Sequence, residues 1–299
     1  GHTTGGDGGA RAGRVLDLVR KTQAGAGSAV GPLDVDGHHA LAREAAGRSF
    51  VLLKNEGRIL PLAKDADIAV IGAFAAEPRY QGAGSSRINP TRVDNALAEI
   101  RSLATGSVTY AAGFSVAADR TGDDSARMCG EAVAAASGAD VAVVFLGLPA
   151  GLESEGYDRD GIDLPGEQLA VLDAVLDVNP NTIVVLSNGA VVAIPFAERA
   201  PAILEGWLLG QAGGGATADV LFGDVNPSGK LTETIPKRLS DTPAYLDFPG
   251  EFSRVRYGEG LFVGYRWYDA RGIDVAFPFG HGLSYTTFRY GDAMASVNV

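Results

Sequence analysis

Short apolar runs rich in β-branched residues alternate with helical patterns along the middle of the chain, and this alternation limits the fold more than any other feature. The runs are apolar throughout, which indicates strands buried on both faces of a sheet. Strands that alternate with helices are joined by crossovers and build a mostly parallel sheet. The predicted strands are Asp67–Gly72, Ser107–Ala111, Asp140–Gly147, Thr182–Ser187 and Ala202–Gly206. The predicted helices between them are Val93–Leu103, Ser125–Ser137, Gly166–Asp177 and Ala212–Phe222.

The segments on either side of this region have a different pattern. An amphipathic helix is predicted at Arg11–Lys21, then a Gly-, Ala- and Pro-rich linker at residues 22–35, then a helix at His38–Leu53. After Pro227 the alternation stops, and residues 227–290 are rich in Pro, Gly and aromatic residues. We expect a long, ordered, non-helical wrap whose rings more often cover the core than line a pocket. The rings are Tyr245, Phe248, Phe252, Tyr257, Phe262, Tyr265, Trp267, Tyr268, Phe277, Phe279 and Tyr285.

The charge balance is acidic. The 299 residues include 25 Lys and Arg against 36 Asp and Glu, a formal net charge of −11. A nucleic-acid surface needs clustered Lys and Arg to neutralise phosphates, and an anionic membrane surface needs them as well. Because the chain has no such cluster, neither nucleic acid nor membrane is expected as a partner.

Cysteine, histidine and hydropathy patterns exclude further classes. The single cysteine, Cys129, allows no internal disulfide, which fits a reducing compartment such as the cytoplasm. No apolar run reaches the ~20 residues that a membrane helix needs. His38 and His39 are adjacent and would face apart on a helix, so no metal site is expected. The first residues do not resemble a signal peptide and are expected to be a tag or a cut end, which leaves the localisation open.

Two loops at strand ends carry unusual chemistry. In open α/β sheets, ligands bind beyond the carboxyl ends of the strands. In the loop after the predicted strand Asp140–Gly147, the carboxylates Glu153, Glu155 and Asp158 lie beside Arg159. A carboxyl group there can act as a general acid, as in glycosidases, where a second carboxylate attacks or activates water. The alternative is a solvated acidic loop in which Asp158 and Arg159 form a local ion pair.

The second unusual loop, after the predicted strand Asp67–Gly72, contains the glycine-rich stretch Gln81–Ser86. It matches neither Gly-x-Gly-x-x-Gly nor a P-loop, so phosphate binding is not favoured. A glycine-permitted turn that brings Ser85, Ser86 and Arg87 to the same site is the better interpretation.

Nine stretches of the chain form an ordered set of motifs. They are Ala42–Gly57, Ile59–Leu62, Gln81–Ser86, Glu153–Arg159, Asp163–Gly166, Ala218–Leu231, Tyr257–Gly260, Val263–Arg266 and Phe277–Thr286. Taken in this order, they resemble the C-terminal α/β sandwich domain of glycoside hydrolase family 3, the family of many β-glucosidases. The resemblance extends from about residue 36 to residue 290. It implies a three-layer α/β/α sandwich with a mostly parallel, about six-stranded sheet, followed by the irregular aromatic-rich wrap.

The resemblance also implies a retaining, two-carboxylate mechanism. The family's acid/base motif places the general acid/base at Glu155, with Glu153 as second choice because side chains two apart in an extended loop point the same way. Asp158 and Arg159 are expected to pair and shape the loop. A substrate contact is the expected role of the remaining candidates, which are Ser85, Ser86, Arg87 and Tyr157. The family's nucleophile is an Asp on a preceding barrel domain, which this chain does not contain.

The resemblance suggests a division of the chain. Residues 1–24 would be a tag or tail with the last helix of a barrel domain, and residues 25–35 a linker. Residues 36–290 would be the sandwich, and residues 291–299 the start of a C-terminal linker or of another domain. The expected partners are a carbohydrate substrate and a barrel domain on the same or another chain, with self-association left open. No cofactor is expected.

Three functions are compatible with these features of the sequence. The first is hydrolysis of O-glycosidic bonds by a β-glucosidase-like enzyme of carbohydrate metabolism, to which this chain supplies the general acid/base. The second is a non-catalytic docking or carbohydrate-binding module. The third is a flavodoxin-like nucleotide or flavin binder, which rests on the predicted sheet alone and lacks a phosphate fingerprint.

Overall fold

Seven α-helices and eight β-strands are formed by the residues that this computed structural model describes, namely 5–26, 31–116 and 122–295. The helices are α1 (Gly5–Gly25), α2 (Val35–Ser49), α3 (Ala96–Leu103), α4 (Gly122–Ser137), α5 (Gly166–Val178), α6 (Gly213–Leu221) and α7 (Tyr265–Arg271). The strands are β1 (Val51–Asn55), β2 (Ile68–Ile71), β3 (Val108–Ala111), β4 (Val141–Gly147), β5 (Thr182–Ser187), β6 (Ala202–Glu205), β7 (Ile235–Pro236) and β8 (Val275–Phe277).

Two compact units divide the chain, residues 1–38 and residues 39–299. In the first unit, α1 extends beyond the predicted helix Arg11–Lys21 at both ends. Adding residues to a formed helix costs less than nucleating one, so the helix continues into the flanking residues. The predicted linker at residues 22–35 is therefore helical at both of its ends, and its residues 27–30 lie outside the described residues.

Six strands of the second unit form one sheet in the order β1-β6-β5-β4-β2-β3. Neighbouring strands are parallel except β1, which is antiparallel to β6. Every residue of β2, β4 and β6 is buried, which explains their uninterrupted apolar runs. The predicted, mostly parallel six-stranded sheet is confirmed, and each of the five predicted strands ends within one residue of its predicted bounds.

Helices cover both faces of this sheet. The connection through α3 crosses the sheet in one direction, from β2 to β3, whereas α4 and α5 lead the chain in the opposite direction. Because such crossovers are right-handed, α3 lies on one face and α4 and α5 lie on the other. α6 packs beside α3, and α4 packs beside α5, so the three-layer prediction is confirmed.

The predicted helix His38–Leu53 is wrong over its last residues. Helix α2 ends at Ser49, and Val51, Leu52 and Leu53 begin the edge strand β1. All three side chains are buried. A short apolar run can continue a helix or form a strand, and its periodicity does not distinguish the two. Here the run forms a strand because its backbone pairs with β6.

The predicted non-helical wrap at residues 227–290 also needs correction. It contains the short helix α7, which lies between Gly264 and Gly272, and the two-stranded pair of β7 and β8. Both glycines have positive φ, and the αL conformation of Gly272 ends the helix. Most rings of the segment are exposed instead of covering the core, whereas Tyr285 is half-buried and packs against the core. The buried exceptions are Tyr268 and Phe277.

One carboxyl group is buried at the edge of the sheet where the candidate site would lie. Glu205, the last residue of β6, is 1% exposed. Its carboxyl accepts hydrogen bonds from the backbone N–H of Trp207 at 2.9 Å and from the Asn188 amide at 3.3 Å. Burial disfavours the charged form more than these two bonds favour it and raises the pKa of Glu205 to about 8.

The substitution Glu205→Gln tests this protonated state. An unfolded glutamate loses its proton near pH 4.5, whereas folded Glu205 keeps its proton to about pH 8. The folded state therefore binds more protons in this window, and Glu205 lowers the free energy of unfolding as pH rises through it. We expect Glu205→Gln to gain stability relative to wild type between pH 5 and 8, by up to ~1.4 kcal/mol per pH unit. Urea unfolding at several pH values measures the difference.

The control for this experiment is Glu198→Gln, since Glu198 is exposed. Its stability difference from wild type should stay constant across the same pH range. A constant difference for Glu205→Gln as well would contradict a neutral Glu205.

Candidate active site

Three loops meet at one edge of the sheet. They follow β2, β4 and β5, which are adjacent and parallel, so their carboxyl ends lie side by side. The two loops with unusual chemistry in the sequence are those after β2 and β4. The fold therefore brings them together at the edge where α/β sheets bind ligands.

The base of the β4 loop is held in place by backbone contacts. A Cβ atom on Gly147, the last residue of β4, would lie 2.1 Å from the carbonyl oxygen of Ser187, so only glycine fits there. The buried side-chain amide of Gln168 on α5 accepts from the Gly147 N–H and donates to the Gly147 carbonyl, both at 2.9 Å. The acidic loop therefore starts from a fixed point.

Glu153, the second-choice acid, is tied to the β5 loop. Its carboxylate accepts backbone N–H bonds from Gly189 at 2.7 Å and from Ala190 at 2.8 Å. The guanidinium of Arg79 lies 3.7 Å from the same carboxylate. Both carboxylate oxygens of Glu153 are thus engaged, and the side chain anchors the β4 loop to the β5 loop.

Glu155, the first-choice acid, points to the β2 loop. Its exposed carboxylate accepts hydrogen bonds from the backbone N–H of Ser85, at 2.9 Å, and from the Ser85 hydroxyl. These two bonds lower the pKa of Glu155. Gly84 has a φ of +85° and passes so close that a Cβ atom would lie 2.7 Å from Cβ of Glu155.

The expectation that Glu153 and Glu155 point the same way is wrong. Their carboxylates contact loops on opposite sides of β4. The loop consists of turns around both residues and is not extended, so the two-residue period of a strand does not apply.

The remaining predicted residues take different places. The exposed Ser86 hydroxyl donates to the carbonyl of Ala83, and Arg87 is exposed at the end of the same turn. The hydroxyl of Tyr157 donates to the carbonyl of Gly151 at 2.8 Å and closes the β4 loop on itself. The carbohydrate-binding role of Ser85, Ser86, Arg87 and Tyr157 stays a prediction.

The predicted pairing of Asp158 with Arg159 does not occur among the described residues. The guanidinium of Arg159 turns inward and donates to the carbonyl of Val191 at 2.8 Å. Burial raises the pKa of the Glu233 carboxyl, and the positive charge of Arg159 acts in the opposite direction. Arg159 thus joins the β4 loop to the segment after β5 and does not neutralise its own loop.

Sequence reasoning missed Arg79. This arginine lies on the β2 loop, and its side chain is only 8% exposed. It donates hydrogen bonds to backbone carbonyls of both unusual loops, at Gln81, Leu148 and Glu153. Its signal in the sequence was only its place in a strand-end loop, two residues before the glycine-rich stretch Gln81–Ser86.

Across the described stretches of the chain, no group of three His, Cys, Asp or Glu side chains is arranged to hold a metal ion. No helix in those stretches is long and apolar enough to cross a membrane.

Comparison with known proteins identifies relatives of the whole fold. A thermostable beta-glucosidase B from Acetivibrio thermocellus is 54% identical over 261 residues, which are 87% of this chain and 34% of that protein. An exo-alpha-(1->6)-L-arabinopyranosidase from Bifidobacterium longum is 48% identical over 284 residues, 92% of this chain and 37% of that protein. The chain therefore spans about a third of the length of these curated relatives.

Solved structures agree with this relationship. The crystal structure of a GH3 beta-glucosidase from Bifidobacterium adolescentis has a TM-score of 0.85 and 49% sequence identity over 91% of this chain and 40% of that one. The sequence profile described as the Glycosyl hydrolase family 3 C-terminal domain matches residues 50–285. The chain therefore belongs to the family of glycosyl hydrolase family 3 C-terminal domains.

Proposed function

We propose that this domain supplies the general acid/base of a retaining β-glycosidase that acts on β-glucosides. The observation that supports the role most directly is the position of Glu155. Its carboxylate is exposed at the edge where open α/β sheets bind ligands, and among the described residues only Ser85 donates hydrogen bonds to it. Glu153, the other glutamate of the loop, has both oxygens engaged by backbone N–H groups.

In the proposed first step, protonated Glu155 gives its proton to the glycosidic oxygen as the bond to the anomeric carbon breaks. A second carboxylate, on a barrel domain outside this chain, attacks that carbon and forms a glycosyl-enzyme. In the second step, ionised Glu155 takes a proton from the water that hydrolyses the intermediate. The negative second carboxylate raises the pKa of Glu155 and opposes the effect of Ser85.

The names of the relatives support a glycoside as substrate, and they also show that the sugar varies. One curated relative is a beta-glucosidase and the other is an arabinopyranosidase. We propose glucose as the favoured sugar because beta-glucosidases recur among both the curated relatives and the solved structures.

The substitution Glu155→Gln, made in the full-length enzyme that carries this domain, tests the acid role. A poor leaving group needs protonation, whereas an activated one departs without it. We expect kcat/KM to fall ~10²–10⁴-fold for phenyl β-glucoside and far less for 2,4-dinitrophenyl β-glucoside. Steady-state hydrolysis of the two substrates measures the difference.

Glu198→Gln serves as the control, because Glu198 is exposed and lies shortly before the start of β6, at the opposite edge of the sheet from the candidate site. Equal losses of Glu155→Gln on both substrates would contradict an acid role. Full activity of Glu155→Gln on both substrates would favour the alternative of a non-catalytic docking or carbohydrate-binding module.

The substitution Ser85→Ala tests how the acid is tuned. Two hydrogen bonds from Ser85 stabilise ionised Glu155, and the variant keeps only the backbone one. The pKa of Glu155 should therefore rise, and the acid should stay protonated to higher pH. We expect the basic limb of the kcat/KM–pH profile to move to higher pH.

Ser86→Ala is the matched comparison, because the Ser86 hydroxyl bonds Ala83 and not Glu155. The basic limb of this variant should keep the wild-type position. A basic limb that stays in place, or moves to lower pH, in Ser85→Ala would show that Ser85 does not set the proton affinity of the acid.

A further inference from the structure

One buried guanidinium connects the two loops that carry Ser85 and Glu155. The Nε atom of Arg79 donates to the carbonyl of Leu148 at 3.1 Å, and Nη2 donates to the carbonyl of Glu153 at 2.9 Å. Both acceptors belong to the β4 loop. The Nη1 atom donates to the carbonyl of Gln81, on the β2 loop.

The carboxylate of Glu153 completes this connection. It lies 3.7 Å from Nη2 of Arg79 and neutralises a charge that is almost fully removed from solvent. The same carboxylate accepts the N–H groups of Gly189 and Ala190 on the β5 loop. Arg79 and Glu153 together therefore join all three loops at the carboxyl edge of the sheet.

The two ends of the Ser85–Glu155 contact are both close to this connection. Gln81 precedes Ser85 by four residues, and Glu153 precedes Glu155 by two. Glu155 belongs to no helix or strand, and Ser85 lies in a single 3₁₀ turn, Gly84–Ser86, so no extended ladder of backbone hydrogen bonds ties the two residues together. The hydrogen bonds from Arg79 therefore join the two loops in addition to the Ser85–Glu155 contact itself.

We propose that Arg79 is a positioning residue for the general acid, with Glu153 as its counter-charge. This inference rests on the proposed role of Glu155 and adds what holds that side chain in place. Arginine suits the position because its planar fork offers five N–H donors in fixed directions. Lysine has a single compact ammonium and cannot reach three separated carbonyls with the same geometry.

The experiment compares Arg79→Met, Arg79→Lys and Glu155→Gln in the full-length enzyme, on phenyl and 2,4-dinitrophenyl β-glucosides. If Arg79 acts through Glu155, its loss should resemble a partial loss of the acid. We expect Arg79→Met to lower kcat/KM ~10-fold or more for phenyl β-glucoside and much less for the activated substrate, within the range that general acid catalysis supplies. Arg79→Lys should restore little of the loss.

A double substitution tests whether the two residues act together. Adding Arg79→Met to Glu155→Gln should cost little further activity on phenyl β-glucoside, because the group that Arg79 positions is already absent. Arg199→Met is the matched control, since Arg199 lies shortly before the start of β6, at the opposite edge of the sheet, and its guanidinium bonds Asp173 and Asp177 on α5. Its ratio of activities on the two substrates should equal that of wild type.

The outcomes separate this inference from the proposed function. If Arg79→Met lowers activity equally on both substrates, or adds its full effect to Glu155→Gln, Arg79 has only a structural role. If Glu155→Gln itself shows no dependence on leaving group, the proposed function fails and this inference fails with it. If Arg79→Met does not fold, Glu153→Gln replaces it, and the same leaving-group dependence is expected because the counter-charge is lost.

Discussion

Burial of β4 on both faces is the constraint on which the rest of the site depends. All seven residues of this strand are buried between β2 and β5, so no polar side chain can project until the strand ends. At the end of the strand, Gly147 packs against the carbonyl of Ser187, where a side chain would not fit. The amide of Gln168 holds the backbone of Gly147 at this point. Polar residues are thus concentrated at one edge of the sheet, where the ends of three parallel strands lie side by side.

Two glutamates of one loop have different surroundings, and this difference is the basis of the role proposed for Glu155. Glu153 meets backbone N–H groups and a buried guanidinium, so its negative charge is compensated and immobile. Glu155 meets one serine and remains open to solvent on its other side. A carboxylate used for proton transfer must be able to change its charge, and only an incompletely engaged group can do so at modest cost.

The same edge of the sheet contains two polar side chains that are removed from water, Arg79 and Glu205. They differ in how many hydrogen-bond partners surround them. Arg79 keeps its charge through three carbonyl acceptors and a carboxylate. Among the described residues, Glu205 accepts hydrogen bonds from two neutral donors. These do not compensate for the loss of hydration of a carboxylate, so the Glu205 carboxyl keeps its proton. A buried charge needs a full set of partners, and a buried acid without them becomes neutral.

The sequence by itself determined the parallel sheet, because short apolar, β-branched runs alternate with helical patterns, and strands joined through helices are parallel. It also nominated Ser85 and Glu155, since carboxylates, serines and glycines at strand ends are visible without coordinates. Only the tertiary structure decided that these two side chains meet, that Arg79 connects their loops and that Glu205 is buried. Each of these depends on contacts between residues that are distant in sequence, and local patterns record which residue types are present but not which of them become neighbours.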